Sequence, residues 1–171
     1  MQIEYSLIQR TVERELVPMA KTLDLAVLAW GPLGRGLLTG KYAADGSTSA
    51  EHARLEPGDA RLSERNLAIA AIVQEVADEL GARPVQVSLA WLRAQPGVVI
   101  PIVGARTAGQ LEESLGCLDF ELPEEAIRRL DEASRVPLGF PHDMLAALLG
   151  RQIAAGGMPD DHRGALPANI R

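Results

Sequence analysis

One stretch limits the folds open to this 171-residue chain: the apolar run Leu25 to Trp30, which empties into Gly31, Pro32, Leu33, Gly34, Arg35 and Gly36. An apolar strand without alternation is what a parallel sheet covered on both faces requires. The glycines that follow permit tight turns and close approach of backbone to a ligand. In α/β proteins the carboxyl end of a strand is where binding sites are built. On residue types alone, a Gly/Pro run after a strand also marks an ordinary turn.

The flanking chain repeats the strand-helix alternation. Gln2 to Ile8 mixes β-formers with polar residues and predicts a strand that begins almost at residue one, an abrupt start for a domain. Val12, Leu16, Met19, Ala20 and Leu23 recur at helical spacing with Thr11 as N-cap, and Pro18 either kinks that helix or lies in a delayed first turn. Strand, helix, strand implies a right-handed crossover. Residues 31 to 62 read as an irregular segment of the length that lids and binding loops have. Ser63 caps a helix with the stripe Ile69, Ile72, Val73, Val76 and Leu80, and Gly81 ends it. Pro84 opens another, Val85 to Ala94, with Val87, Ala90, Trp91 and Ala94 on one side.

Val98 to Val103 is the third predicted strand, and Pro101 must stand where no ladder hydrogen bond is needed. Thr107 and Gln110 form a T-x-x-Q capping box for a helix running to about Gly116. Its free N–H groups and dipole favour an anion, and Arg106 can fork onto a phosphate. Pro123 opens the next helix, with Ile127, Leu130 and Ala133 as its inner face. Residues 1–137 are expected to form one α/β unit. Residues 138–171 form a loop, a short helix at Met144 to Ile153 and a Gly/Pro-rich surface tail, partly disordered.

The 47% apolar share suits one ordinary domain. A net charge of −6 with no Lys/Arg run argues against nucleic acid or an anionic membrane as partner. No apolar run reaches membrane-spanning length, and MQIEYSLIQR lacks the plan of a signal peptide, so a cytoplasmic location is expected. Cys117, the single cysteine, reads as a small core residue. His52, His142 and His162 lack metal-site spacing, and no Ser-His-Asp or Cys-His signature appears. No catalytic group and no metal ligand is assigned.

Several segments together carry a resemblance. QIEYSLIQR, ELVPMAKTLDLAVLAWGPLGRGLLTGKY, LSERN, PVQVSLAWLRAQPGVVIPIVGARTAGQLEESLG and LGFPHD follow, in order, the second half of an aldo-keto reductase, up to about Arg151. Members of that family transfer hydride from NADPH to aldehydes and ketones. The resemblance implies an α/β fold: strands six to eight, with their helices, of a (β/α)8 TIM barrel that is incomplete. It implies that Gln2 holds the nicotinamide carboxamide and that Trp30 stacks on the nicotinamide. Gly31, Pro32, Leu33, Gly34, Arg35 and Gly36 would follow the pyrophosphate. Gly104, Arg106, Gln110 and Glu113 would grip the adenosine end, with Arg106 on a 2′-phosphate.

Two departures are visible: Gly31 stands where many relatives have Ser, and Ser114 where the family usually has Asn. The family's catalytic Tyr, Lys, Asp and His lie in the half with no counterpart here, and neither Tyr5 nor Tyr42 matches them. The implied molecule is a truncated reductase, inactive alone. It retains an NADP(H) cradle and meets a small carbonyl substrate only when an N-terminal half completes it. The alternative is a non-catalytic binding module that self-associates through exposed strand edges.

Overall fold

Three short strands carry the fold: β1 (Gln2–Glu4), β2 (Val27–Trp30) and β3 (Val99–Pro101), all parallel and ordered β1-β2-β3. The computed structural model describes residues 1–43, 45–48 and 53–146. Ile3 sits opposite Ala29, and Val27 opposite Val99. Each strand is shorter than the segment predicted for it. Beyond Tyr5, whose N–H still donates to the Trp30 carbonyl at 3.3 Å, the chain turns off the sheet, and Ser6 and Gln9 bond each other's backbone at 3.2 and 3.0 Å. Pro101 stands at the end of β3, where its missing N–H costs nothing. The next bond to β2 comes from Ile102, whose N–H donates to the Ala29 carbonyl at 2.8 Å.

The first crossover departs from its expected form. A 3-10 turn at Thr11–Arg14 precedes helix α1 (Leu16–Thr22), with a break at Glu15, so Thr11 caps nothing and Pro18 lies in a delayed first turn. The break resets the helical phase. Val17 and Ala20 face the core, whereas Leu16, Met19 and Leu23 of the expected stripe are exposed.

Helix α2 (Glu64–Leu80) agrees with its local signals. The Ser63 hydroxyl accepts the Asn66 N–H at 3.3 Å, and Gly81 terminates the helix in the left-handed region at φ +62°. Helix α3 (Pro84–Arg93) is buried nearly all round rather than on one side, because α2, β3 and α4 (Ala108–Leu115) surround it. Helix α5 (Glu124–Ser134) turns Ala126, Leu130 and Ser134 inward, and Ala133 of the expected inner face is exposed. Ser134 is inside because Arg10 is: the guanidinium, 8% exposed, donates to the Ser134 hydroxyl at 2.7 Å. Arg10 also pairs with Glu13 and Asp131 and stacks over Trp91 at 4.9 Å. Helix α6 (His142–Ala146) follows, and the expected continuation to Ile153 and the tail lie outside the described residues.

Two-sided coverage of the sheet, expected from the run Leu25 to Trp30, is not found. Ile3, Val27, Ala29 and Val99 pack against the helices, whereas Leu28, Trp30 and Ile100 on the opposite face are 37%, 43% and 47% exposed. The 31–62 segment is not structureless either. It carries 3-10 turns at Gly34–Thr39 and Ala60–Leu62 and buries Leu37, Leu38 and Leu55.

Candidate functional site

Strand order places the carboxyl ends of β1, β2 and β3 side by side, and a groove of about 420 Å³ opens there. That volume lies within the usual range for small-molecule sites. Glu4 ends β1 directly opposite Trp30, which ends β2, and both line the groove. The chain then turns at Gly31, φ +63°, whose carbonyl accepts the Gly34 N–H at 2.9 Å. Gly34, Arg35 and Gly36 follow at φ +55°, +56° and +95°. A non-glycine residue in the left-handed region costs about 1–2 kcal/mol, so Arg35 is held there by its neighbours. This turn brings Arg35 and Gly36 to the groove wall.

The opposite end is built after β3. Ile102, Val103, Gly104 and Arg106 lead into α4, whose Thr107 hydroxyl accepts the Gln110 N–H at 3.2 Å. The Gln110 side-chain oxygen accepts the Arg106 N–H at 3.0 Å, one residue before the cap. Glu113 faces Arg83 at 3.6 Å, and the Ser114 hydroxyl donates to the Gln110 carbonyl at 2.9 Å. These polar groups thus hold each other while lining the groove.

Of the residues singled out in the sequence, Trp30, Gly31, Pro32, Leu33, Arg35, Gly36, Gly104, Arg106, Gln110, Glu113 and Ser114 converge on this groove. Gln2 and Gly34 are not in its lining. Gln2 pairs with Leu28, two residues before Glu4 on the same strand. Gly34 is buried against Ile8, whose Cδ1 would lie 2.5 Å from an added Cβ, so this glycine answers to packing.

Sequence reasoning missed Glu4, Thr39, Lys41, Arg54, Arg61, Val85, Ile102 and Val103. The register of Glu4 beside Trp30 could have signalled the first. Lys41 stands in the resembling segment that ends GLLTGKY but has no role implied there, and Arg54 and Arg61 are scattered in a polar segment with no motif to mark them. Burial, then the positive charges of Arg54 and Arg106, push the Lys41 ammonium down from the usual lysine range.

The tyrosines stand apart from this chemistry. Tyr5 is fully buried, and its hydroxyl donates to Glu13 at 2.7 Å; burial and that carboxylate drive its pKa far up. The Tyr42 hydroxyl accepts the Arg54 and Leu55 N–H groups at 3.1 and 3.0 Å. Cys117 packs with Val85 and Leu89, and burial raises its thiol pKa. His142 begins α6, whereas His52 and His162 lie outside the described residues.

Comparison with known proteins gives a consistent result. Residues 1–135 match the model of the aldo/keto reductase family. The chain is 35% identical over 138 residues to an uncharacterized oxidoreductase, YrpG, of Bacillus subtilis, covering 81% of this chain and 41% of that protein. It is 31% identical over 137 residues to the Schizosaccharomyces pombe aldo-keto reductase yakc [NADP(+)], covering 77% and 40%. Among solved structures it superposes on the glycerol dehydrogenase AKR11B4 of Gluconobacter oxydans with a TM-score of 0.65 at 29% identity, covering 77% of this chain and 41% of that one. The chain thus spans about two fifths of the length of the curated relatives it matches. Its sheet and helices are the part of a (β/α)8 barrel that holds strands six to eight.

Proposed function

The chain belongs to the aldo/keto reductase family, and from that premise we propose that its 171 residues form the cofactor-side wall of an NADPH-dependent carbonyl reductase. The observation that carries this reading is the groove itself. It sets an exposed Trp ring, a glycine turn and a cation-flanked helix start along one continuous wall at the strand ends. That donor set fits a nicotinamide dinucleotide. A flat ring needs a face to stack on, and Trp30 offers one. A pyrophosphate needs close backbone and positive charge, which Gly31, Pro32, Leu33, Arg35 and Gly36 of the groove wall present. Arg106 beside the α4 N-terminus suits the 2′-phosphate of NADPH over NADH. Gln2 remains the proposed carboxamide partner, reached from its place on β1.

When bound, the cofactor supplies the hydride that reduces an aldehyde or ketone carbon. The chain's own residues orient the ring and the phosphates. None of them is assigned to protonate the carbonyl oxygen: Tyr5 is held in the core by Glu13, and Tyr42 is held by the 54–55 backbone. The 171 residues by themselves are therefore proposed to be a truncated, inactive form. Orientation by the remaining barrel wall and acid catalysis are lost together. Residues 1–137 are proposed as the cofactor-binding unit and 138–171 as a C-terminal loop and tail, in a cytoplasmic protein. No helix among the described residues is long and apolar enough to cross a membrane.

A second reading rests on one observation, the uncovered sheet face of Leu28, Trp30 and Ile100. A copy of this chain or a separate N-terminal half would cover it, making the chain a binding module. Thermal unfolding with and without NADPH, beside an assay of aldehyde reduction, tests both. NADPH at a hundredfold excess over Kd stabilises by about 2.7 kcal/mol. A clear rise in Tm without turnover fits the proposal. Turnover by these residues alone refutes the inactivity, and no shift in Tm refutes the cradle.

A further inference from the structure

The uncovered sheet face, on which the binding-module reading and this inference both rest, continues onto two helix flanks. On α1, Leu16, Met19 and Leu23 at its end are 36%, 39% and 60% exposed. On α4 and the turn Gly116–Leu118 after it, Leu111, Leu115 and Leu118 are 42%, 49% and 60% exposed. Spacings of three and four residues make each set one apolar stripe.

The stripes point off opposite edges of the sheet. Lys21 of α1 leans toward β3, its Cβ 4.0 Å from where a Cβ on Gly97 would stand. Leu16, Met19 and Leu23 lie on the other side of the buried Val17 and Ala20, and so face out past β1. On α4, Glu113 faces Arg83 at 3.6 Å, and Cys117 after it packs with Val85 and Leu89 of α3. Leu111 and Leu115 lie across that helix from Glu113, and so face out past β3.

Among the described residues, β1 and β3 each pair with β2 and with no other strand. In a strand-helix repeat with right-handed crossovers, each helix lies over the gap between its own strand and the next. Helix α1 does so for β1 and β2, whereas α4 follows β3 with no further strand among the described residues. The β1 edge of another copy supplies that strand and brings its α1 stripe against the α4 stripe of the first. A two-fold axis along the strands keeps all six parallel, mates both seams at once and turns Leu28, Trp30 and Ile100 of each copy inward. Taking roughly 200 Å² for a large residue fully exposed, the two stripes and these three side chains present about 800 Å² per copy. That is the share each partner gives to a standard interface of about 1,600 Å².

We propose that this chain forms a two-fold dimer in which the β1 edge and α1 stripe of each protomer seat against the β3 edge and α4 stripe of its partner. Sedimentation velocity of the full 171-residue chain over a wide concentration range tests it. The parent is compared with Leu23→Lys, Leu118→Glu and an equimolar mixture of these two variants, with urea midpoints recorded to confirm folding. Both positions are 60% exposed in one copy, so each variant keeps its fold. The parent sediments as a dimer. Each variant alone raises the dimer Kd by about a hundredfold, because the two-fold repeats its change at both seams. The mixture recovers the dimer: one seam then sets the lysine against the glutamate, and the other keeps leucine against leucine.

A mixture that stays monomeric overturns the paired edges. Association that survives both flank variants also overturns them, and its loss in Ile100→Lys then leaves the sheet face as the binding surface. Species that grow beyond two copies reveal an edge contact that does not close, and overturn the dimer. A parent that is monomeric throughout overturns the proposal together with self-association of this chain.

Discussion

Replacing Gly34 by alanine separates the packing role seen here from a ligand-contact role. Gly34 sits at φ +55°, with an added Cβ 2.5 Å from Ile8 Cδ1 and 3.1 Å from Ile8 Cγ1. Two costs follow. Holding alanine in the left-handed region costs about 1–2 kcal/mol. Forcing a methyl into an occupied site costs about 1–3 kcal/mol, here at the lower end because a flexible side-chain tip can shift. Gly34→Ala is therefore expected to destabilise by about 2–4 kcal/mol. Ile8→Val removes the closest atom at a cost of about 0.5–1.5 kcal/mol on its own. In the double variant the overlap term largely disappears and the backbone term stays, a favourable coupling of about 1–2 kcal/mol. Urea unfolding followed by circular dichroism gives all three values from the midpoints at constant m. A Gly34→Ala chain as stable as the parent, or an Ile8→Val partner that recovers nothing, refutes the steric argument. Because Gly34 is outside the groove lining, the folded variant should bind NADPH with near-parent affinity.

Tyr5 has a pKa raised above its ordinary 10.0 by burial and by Glu13. The folded state keeps the proton that the unfolded chain loses above pH 10, so this contribution is full below pH 10 and declines as pH rises past it. Tyr5→Phe should cost about 1–2 kcal/mol at neutral pH and flatten the fall in Tm between pH 8 and 11; parallel curves would disprove the assignment. Arg10→Met leaves Glu13 and Asp131 without the buried cation between them, and a loss of about 3 kcal/mol or more in urea unfolding is expected. By contrast Arg129 reaches Glu75 at 3.1 Å and Glu79 at 2.6 Å across exposed helix surfaces, and Arg129→Ala should leave the urea midpoint nearly unchanged. Ile100→Lys, on the uncovered sheet face, should shift sedimentation toward monomer; an unchanged profile would place any association elsewhere.

How far the sequence could be read depends on the range of the physics at each place. Ser63 and Gly81 bound α2 correctly because caps act over three or four residues. The Pro101 argument held for the same reason: a missing N–H is a local fact. The motif segments were long enough to carry the family and the barrel class, and they brought most of the groove with them. The inner faces were less legible. In α1 the spacing of Leu16, Met19 and Leu23 fitted a helix, but the break at Glu15 turned that stripe outward. In α3 the stripe suggested one buried side, and neighbours on all sides buried the rest. The apolar run Leu25 to Trp30 suggested a sheet covered twice, and the described helices cover it once.

The sequence by itself determined the order of strands and helices, the caps of α2 and α4 and the family, because hydrogen bonding near helix ends, backbone angles and apolar period are set by adjacent residues. Only the tertiary structure decided that Gly34 serves packing, that Arg10 lives in the core, and that Lys41, Arg54 and Arg106 share one groove. Burial and electrostatic energy depend on distance through space, and residues 41, 54 and 106 become neighbours only when β2, β3 and the loop between them are packed together.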